Sequence, residues 1–457
     1  MRLRFALPLL LLAETTVAIE MRAAQASEPA HAPAAANAQP VAAKTPASIV
    51  AEIPVNYDET KVGTYTLPDP LKLNDGTPVR DAKTWTKKRR PEIVQMYETQ
   101  QYGRAPGRPA NESFDVIDKG SPALNGKAIR KQVVIHLAPK GNTDVGYPAI
   151  HLLIYLPAAA KKPVPMLLNI SFSAPSSMVD DPGIAPDFVW DPKTNTKIPA
   201  KQGRTFGRLN VEPLLDAGFG VATFYYGDVE PDYPGGFANG IRARYLKPGQ
   251  TQPAPDEWGT ISAWAWGMSR VQDYFETDAK IDAHRVAIHG ISRLGKTVMW
   301  AGAHDQRFAA VIASCSGEGG AALSRRNYGE TIAHLEAPTR YPYQFAGNWA
   351  KYVPRGENMP MDAHMLVALV APRPLLLQTG NTDYWSDPKG EFLAAVAAAP
   401  VYKLLGKDPL DTTVWPDAKQ PILHDLSYSM HDGGHGMVPS DWEIYIQFLK
   451  MHLHPEL

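Results

Sequence analysis

The parts of this chain that could do chemistry are a serine set between glycines, the arginine after it, and an aspartate and a histidine much later. The run Val286-Ala287-Ile288-His289-Gly290-Ile291-Ser292-Arg293-Leu294-Gly295-Lys296-Thr297 carries a short apolar strand into Gly-x-Ser and straight on into a helix. That is the context of a nucleophile elbow, a sharp turn that lifts a serine oxygen above a sheet at a helix N-terminus. Gly290 is expected to leave room for the turn, and Gly295 to let the helix pack closely on the strand. Backbone N–H groups at the helix start would face a developing oxyanion. The pattern departs from plain Gly-x-Ser-x-Gly, because Leu294 stands where the second glycine belongs and Gly295 comes one residue late.

A serine at its ordinary pKa is a poor nucleophile and needs a base that an acid orients. In folds built around such an elbow the chain order is serine, acid, histidine. Asp383 lies just beyond an apolar run at 374–379, where that acid belongs, and His435 follows the pair Gly433-Gly434 shortly before a last helical segment. Ser292, Asp383 and His435 thus satisfy order and context together, with His431 as the competing base. His431, Asp432 and His435 are metal-ligating types, but they sit in a glycine-rich loop without helical i, i+4 spacing or an evident third ligand. No metal or other cofactor is expected. The single cysteine, Cys315, excludes an intramolecular disulfide, and its flanks match no cysteine-protease signature; a buried thiol is expected.

The elements that must position these residues alternate. Strands are expected at 131–137, 149–156, 166–172, 220–225, 285–289, 308–314, 374–379 and 423–429. Helices are expected at 258–277, 295–304, 361–370, 389–405 and 440–453. Short apolar strands with helices between them indicate an α/β fold: a mostly parallel central sheet, helices on both faces and long loop insertions. The stretches 174–215 and 228–256, heavy in Pro, Gly, Asp and Lys, are expected to lie over the strand ends, where loops shape ligand surfaces.

The 457 residues carry a formal net charge of −1, so the basic excess of a nucleic-acid binder is missing. Arg2 and Arg4, the apolar run 5–12 and Ala24-Gln25-Ala26 compose a secretory signal peptide at 1–26, and the apolar run is far shorter than the ~20 residues of a membrane span. Residues 27–50, mostly Ala and Pro, are expected as a disordered tether, and 51–457 as a single domain. A secreted chain without disulfides points to a bacterial periplasm or exterior. No membrane span and a monomer are expected.

The elbow Gly290-Ile291-Ser292-Arg293-Leu294-Gly295-Lys296 resembles the Gly-x-Ser-Arg-x-Gly-Lys signature of the glucuronoyl esterases, carbohydrate esterase family 15. The resemblance runs on through Ser316-Gly317-Glu318-Gly319-Gly320-Ala321, Arg325-Arg326-Asn327-Tyr328-Gly329-Glu330, Met359-Pro360-Met361-Asp362-Ala363-His364, Ala371-Pro372-Arg373-Pro374, Asp383-Tyr384-Trp385 and Gly433-Gly434-His435-Gly436, and is closest to the bacterial branch. It implies an α/β-hydrolase fold and cleavage of esters joining the glucuronic acid of xylan, or its 4-O-methyl form, to lignin alcohols. It also implies that Arg293 serves the oxyanion, that Lys296 and Glu330 bind sugar hydroxyls, and that Trp385 lines the sugar site. Many members, the fungal ones especially, carry the acid as Glu at the end of the strand after the nucleophile helix. Cys315 occupies that position here, so Asp383 is expected to supply the carboxylate, with Glu318 in reserve. The alternatives are an acetyl xylan or other carbohydrate esterase of the same fold and an inactive hydrolase-fold glycan-binding protein.

Overall fold

The computed structural model describes residues 47–109, 112–137, 147–203, 206–353 and 356–455. The expected signal peptide and all but 47–50 of the expected tether lie outside the described residues. Ile49–Val50 pairs antiparallel with Ile53–Pro54, so a small ribbon begins within the last residues of the tether segment.

Nine strands form the central sheet: β1 (Ser113–Ala123), β2 (Ala128–His136), β3 (Ala149–Pro157), β4 (Val164–Ser171), β5 (Gly220–Tyr225), β6 (Ile281–Ile291), β7 (Ala310–Ser314), β8 (Leu375–Gly380) and β9 (Leu426–His431). Their spatial order is β9-β8-β7-β6-β4-β5-β3-β2-β1. Every neighbouring pair from β9 to β5 is parallel, and β5–β3, β3–β2 and β2–β1 are antiparallel. With the helices described next, this is an α/β-hydrolase fold.

The parallel strands are apolar on both faces because both are covered. Val286 and Ile288 of β6 and Leu375 and Leu377 of β8 point into one core, Ala287 and Leu376 into the other, the period-2 alternation of a strand. Five helices supply the first layer: α1 (Arg90–Gln100), α3 (Thr260–Phe275), α4 (Arg293–His304), α5 (Ala363–Val370) and α6 (Pro388–Leu404). Their Tyr97, Trp264, Trp300, Leu366 and Phe392 fill that core. The second layer is thinner. Leu214 of α2 (Val211–Asp216) and Trp442, Tyr445 and Phe448 of α7 (Pro439–Leu453) close it.

The expected strands and helices all occur, with shifted ends. β6 starts four residues earlier than expected, at Ile281, and β9 covers Leu426–His431 rather than 423–429. β1, α1 and the short α2, which begins inside the stretch expected as loop, were not expected. β1 is an edge strand of alternating exposure with Gly120 and Pro122 in it, and α1 reads Arg-Pro-Glu-Ile-Val-Gln-Met-Tyr-Glu-Thr-Gln, with too few apolar residues to show a face. The insertion after β4 holds a short antiparallel hairpin, Phe188–Asp191 with Thr196–Pro199. Among the described residues, no helix is long and apolar enough to cross a membrane.

Candidate active site

Four successive parallel strands deliver four side chains to one end of the sheet, the carboxyl end where ligands bind in open α/β sheets. Ser292 follows β6, Cys315 follows β7, Asp383 lies three residues past β8 and His435 four past β9. These four residues line one cavity of about 250 Å³ together with Arg293, Lys296, Glu330, Arg340, Tyr341, Gln344 and Trp385.

Ser292 has φ 60° and ψ −127°, a conformation that L side chains rarely adopt. The turn is tight enough that a Cβ on Gly290 would stand 2.4 Å from the carbonyl oxygen of Leu294, and one on Gly295 would stand 2.7 Å from that of Ser314. Glycine at both positions is therefore a geometric requirement. The Ser292 N–H is engaged, donating to Ser314 O at 2.8 Å. The N–H of Arg293, first residue of α4, has no partner within its own helix and opens at the dipole's positive end.

His435 Nδ1 donates to Asp383 Oδ2 at 2.8 Å, with Ser386 Oγ at 3.3 Å from the same nitrogen. Nε2 is thereby left as the acceptor. No hydrogen bond joins Ser292 Oγ to His435 in this structure; such contacts tighten when substrate is bound. The ring of Phe206 lies nearly parallel to that of His435, 6.3 Å away, and rests in turn against Phe172 just after β4. The insertion at 174–215 thus reaches the histidine.

Glu318 does not reach it. Its carboxyl is buried and accepts from Ser324 Oγ at 2.6 Å, and burial pushes its pKa up to about 8. His431 is also turned away. Its Nδ1 donates to Asp441 Oδ2 at 2.9 Å and its Nε2 to Gly434 O at 2.9 Å, so the ring pins the turn that leads to His435. Desolvation opposes the charged ring, yet Asp441 outweighs it and raises the pKa. Asp432 faces Asn381 and Lys419, away from any cluster with the two histidines. A different trio converges instead: donor atoms of Cys315, Asp383 and His435 lie within 4.8 Å of one another. Burial raises the Cys315 thiol pKa and Asp383 beside it raises it further, which keeps the sulfur protonated and a poor metal ligand.

On the other side of the serine, Lys296 Nζ stands 3.7 Å from Glu330 Oε2, and Arg340 donates to Glu330 Oε1 at 3.1 Å. The Arg340 guanidinium also lies over Trp385, 5.5 Å from the ring centroid, and His334 meets the same ring edge-on at 5.2 Å. The N–H of Glu330 donates to Trp385 O at 2.8 Å, tying the two loops into one wall. Cationic donors, a carboxylate acceptor and an aromatic face together suit a polyol. Arg293 is ion-paired with Asp232 and stacks on Tyr341, 4.5 Å from the centroid. Arg340, Tyr341, Gln344, Asp232 and Phe206 escaped the sequence reading. Four sit in irregular segments and Gln344 ends a three-residue 3-10 turn, Pro342–Gln344, too short for any periodicity to mark which side chain turns inward.

A family model for fungal glucuronyl esterases matches residues 253–406. A carbohydrate esterase, MZ0003, from an unknown prokaryotic organism is 44% identical over 408 residues, 87% of this chain and 92% of that protein. A 4-O-methyl-glucuronoyl methylesterase of the fungus Schizophyllum commune is 28% identical over 74% of each chain. Among solved structures, a glucuronoyl esterase from Solibacter usitatus is 46% identical with a TM-score of 0.81, covering 86% of this chain and all of that one. A promiscuous family 15 esterase from a marine bacterial metagenome is 42% identical with a TM-score of 0.77, covering 87% of this chain and all of that one.

Proposed function

Because the chain belongs to the glucuronoyl esterases of carbohydrate esterase family 15, which are carboxylic ester hydrolases, we propose that it cleaves esters joining the glucuronic acid of xylan, or its 4-O-methyl form, to lignin alcohols. The observation that carries this reading is the cavity itself. It sets Ser292 and the bonded pair His435–Asp383 beside a wall of Lys296, Glu330, Arg340 and Trp385. An acetate needs no such wall, whereas a uronate presents several hydroxyls. A pocket that hydrogen-bonds hydroxyls discriminates strongly against acyl groups that lack them.

In the reaction proposed, His435 Nε2 takes the Ser292 proton as the serine oxygen attacks the C6 carbonyl of the glucuronoyl ester. Asp383 holds the ring in the tautomer with Nδ1 protonated and stabilises the imidazolium that forms. The N–H of Arg293 and its guanidinium receive the oxyanion. His435 then protonates the departing alcohol, and water, deprotonated by the same histidine, releases glucuronate from the acyl-enzyme. Polymeric xylan lies outside the cell, in keeping with the leader expected at 1–26.

Benzyl glucuronate and acetylated xylan, assayed side by side with Ser292→Ala as control, test the substrate. Glucuronate release that the control abolishes is the expected result. Acetate release alone would keep the serine chemistry and overturn the uronate assignment, and with it the roles given to Lys296 and Glu330.

A further inference from the structure

A bare guanidinium beside the scissile carbonyl favours the wrong species. The neutral ester offers it only a dipole, whereas the glucuronate product offers a full carboxylate, and charge-assisted hydrogen bonds are the stronger kind. The structure counters this with a second, buried carboxylate. Asp232, with a side chain only 3% exposed, forms an ion pair with Nη1 of Arg293 through Oδ2. Its other oxygen, Oδ1, accepts from Tyr343 Oη at 2.9 Å and from Gln344 Nε2 at 2.7 Å. Two neutral donors thus saturate one carboxylate oxygen and present the other to the arginine.

The guanidinium plane is held from a third side by Tyr341, 4.5 Å from its centroid. The parts come from separate stretches of chain: Asp232 from the insertion after β5, Arg293 from the first turn of α4, and the tyrosines and Gln344 from the loop at 341–344. Desolvation acts to lower the Arg293 pKa, but Asp232 and the two tyrosines Tyr341 and Tyr226 outweigh it, so the group stays charged. Arg293 is consequently a cation with a fixed plane and a locally balanced charge, and it lines the cavity.

We propose that Asp232 is a positioning residue that sets the preference of this site for ester over acid: it aims Arg293 and cancels the cation's hold on the carboxylate product. The inference rests on the esterase reading above, in which Arg293 serves the oxyanion. Aim matters most in the transition state, where the oxyanion is transient and also receives a backbone N–H. Net charge matters most for the product, whose charge is permanent and which must leave before the next turnover.

The test has a binding arm and a kinetic arm. Glucuronate is titrated by calorimetry into Ser292→Ala and into Ser292→Ala/Asp232→Asn, which needs no turnover. The kcat and KM for benzyl glucuronate are measured for Asp232→Asn with Ser292 intact. Removing the carboxylate is expected to tighten glucuronate binding by roughly tenfold, the scale of an uncovered charge–charge contact in a water-poor site. The kcat is expected to fall while KM changes little. Adding Arg293→Met should erase the gain in glucuronate affinity. Glucuronate affinity that is unchanged or weaker in the Asp232→Asn protein overturns the proposal, since damage to the fold alone would weaken binding rather than tighten it. If Asp232→Asn does not fold, Tyr343→Phe keeps the charge but loosens the carboxylate. It should then lower kcat with glucuronate affinity unchanged, and an unchanged kcat would overturn the aiming role. Failure of the native chain to hydrolyse benzyl glucuronate would sink the substrate assignment and leave the calorimetric arm still able to read the clamp.

Discussion

The residue that the sequence left most contestable is the acid. Cys315 stands where the family resemblance leads one to expect a carboxylate, and both Asp383 and Glu318 follow it in the chain. Geometry separates them: Asp383 Oδ2 is 2.8 Å from His435 Nδ1, whereas Glu318 is buried against Ser324. Asp383→Asn should therefore fold normally and lose roughly 10³–10⁴-fold in kcat, as expected when the imidazole loses its orienting carboxylate. Glu318→Gln should keep kcat within a few-fold. Steady-state kinetics on the two purified variants decide this, and near-normal turnover in Asp383→Asn would remove that residue from the mechanism. Ser292, Asp383 and His435 could be read from the sequence because each follows a recognisable strand. Asp232 and Arg340 could not, because the loops that carry them have no repeating pattern and their contacts are made only in three dimensions.

At the scale of elements, the elbow is a strained turn between β6 and α4, and two substitutions probe it in opposite directions. Ser292→Gly should be inactive yet more stable than Ser292→Ala by about 1 kcal/mol, because only glycine accepts φ 60° and ψ −127° without strain. Chemical denaturation of the two variants measures the difference, and equal midpoints would mean that the turn stores no strain. Gly295→Ala places a methyl 2.7 Å from Ser314 O, backbone that cannot yield, so α4 must lift from β7. A loss of about 1–3 kcal/mol, typical of overpacking, should accompany a fall in kcat as the serine moves with its helix. The parallel strands were legible because burial on both faces demands short apolar runs. β1 was not, since an edge strand half in water needs no such run, and its Asp115, Lys119, Gly120 and Pro122 look like loop.

Across the molecule, the end of the sheet that holds the site also buries two carboxyls, Glu318 and Glu391, whose close hydrogen-bond partners are neutral. Glu391 accepts from the Gly317 N–H at 2.6 Å and from Ser316 Oγ at 3.2 Å, and burial pushes its pKa up to about 8, as it does for Glu318. For a carboxyl whose folded pKa lies above its unfolded value, the stabilising contribution is complete below the ordinary value of 4.5 and declines as pH rises to about 8. Glu391→Gln, which keeps an oxygen for Gly317 and cannot ionise, should gain on the native protein across that interval and hold a constant advantage above it. The advantage should be on the order of a few kcal/mol. Thermal unfolding at a series of pH values measures this, and parallel profiles for the two proteins would contradict it. The overall architecture was accessible from the alternation of strands and helices, but the docking of the 174–215 insertion against the catalytic histidine was not. That docking depends on how segments far apart in the chain, such as Phe206 and His435, come together.

The most direct test of the account is to catch the acyl-enzyme. Native protein, mixed with benzyl glucuronate and quenched in acid within milliseconds, would be digested and its peptides weighed by mass spectrometry, with Ser292→Ala as the control. The account predicts a glucuronoyl group on the peptide bearing Ser292 and none in the control. An adduct on another residue, or native turnover with no adduct on Ser292 under any quench, would contradict it.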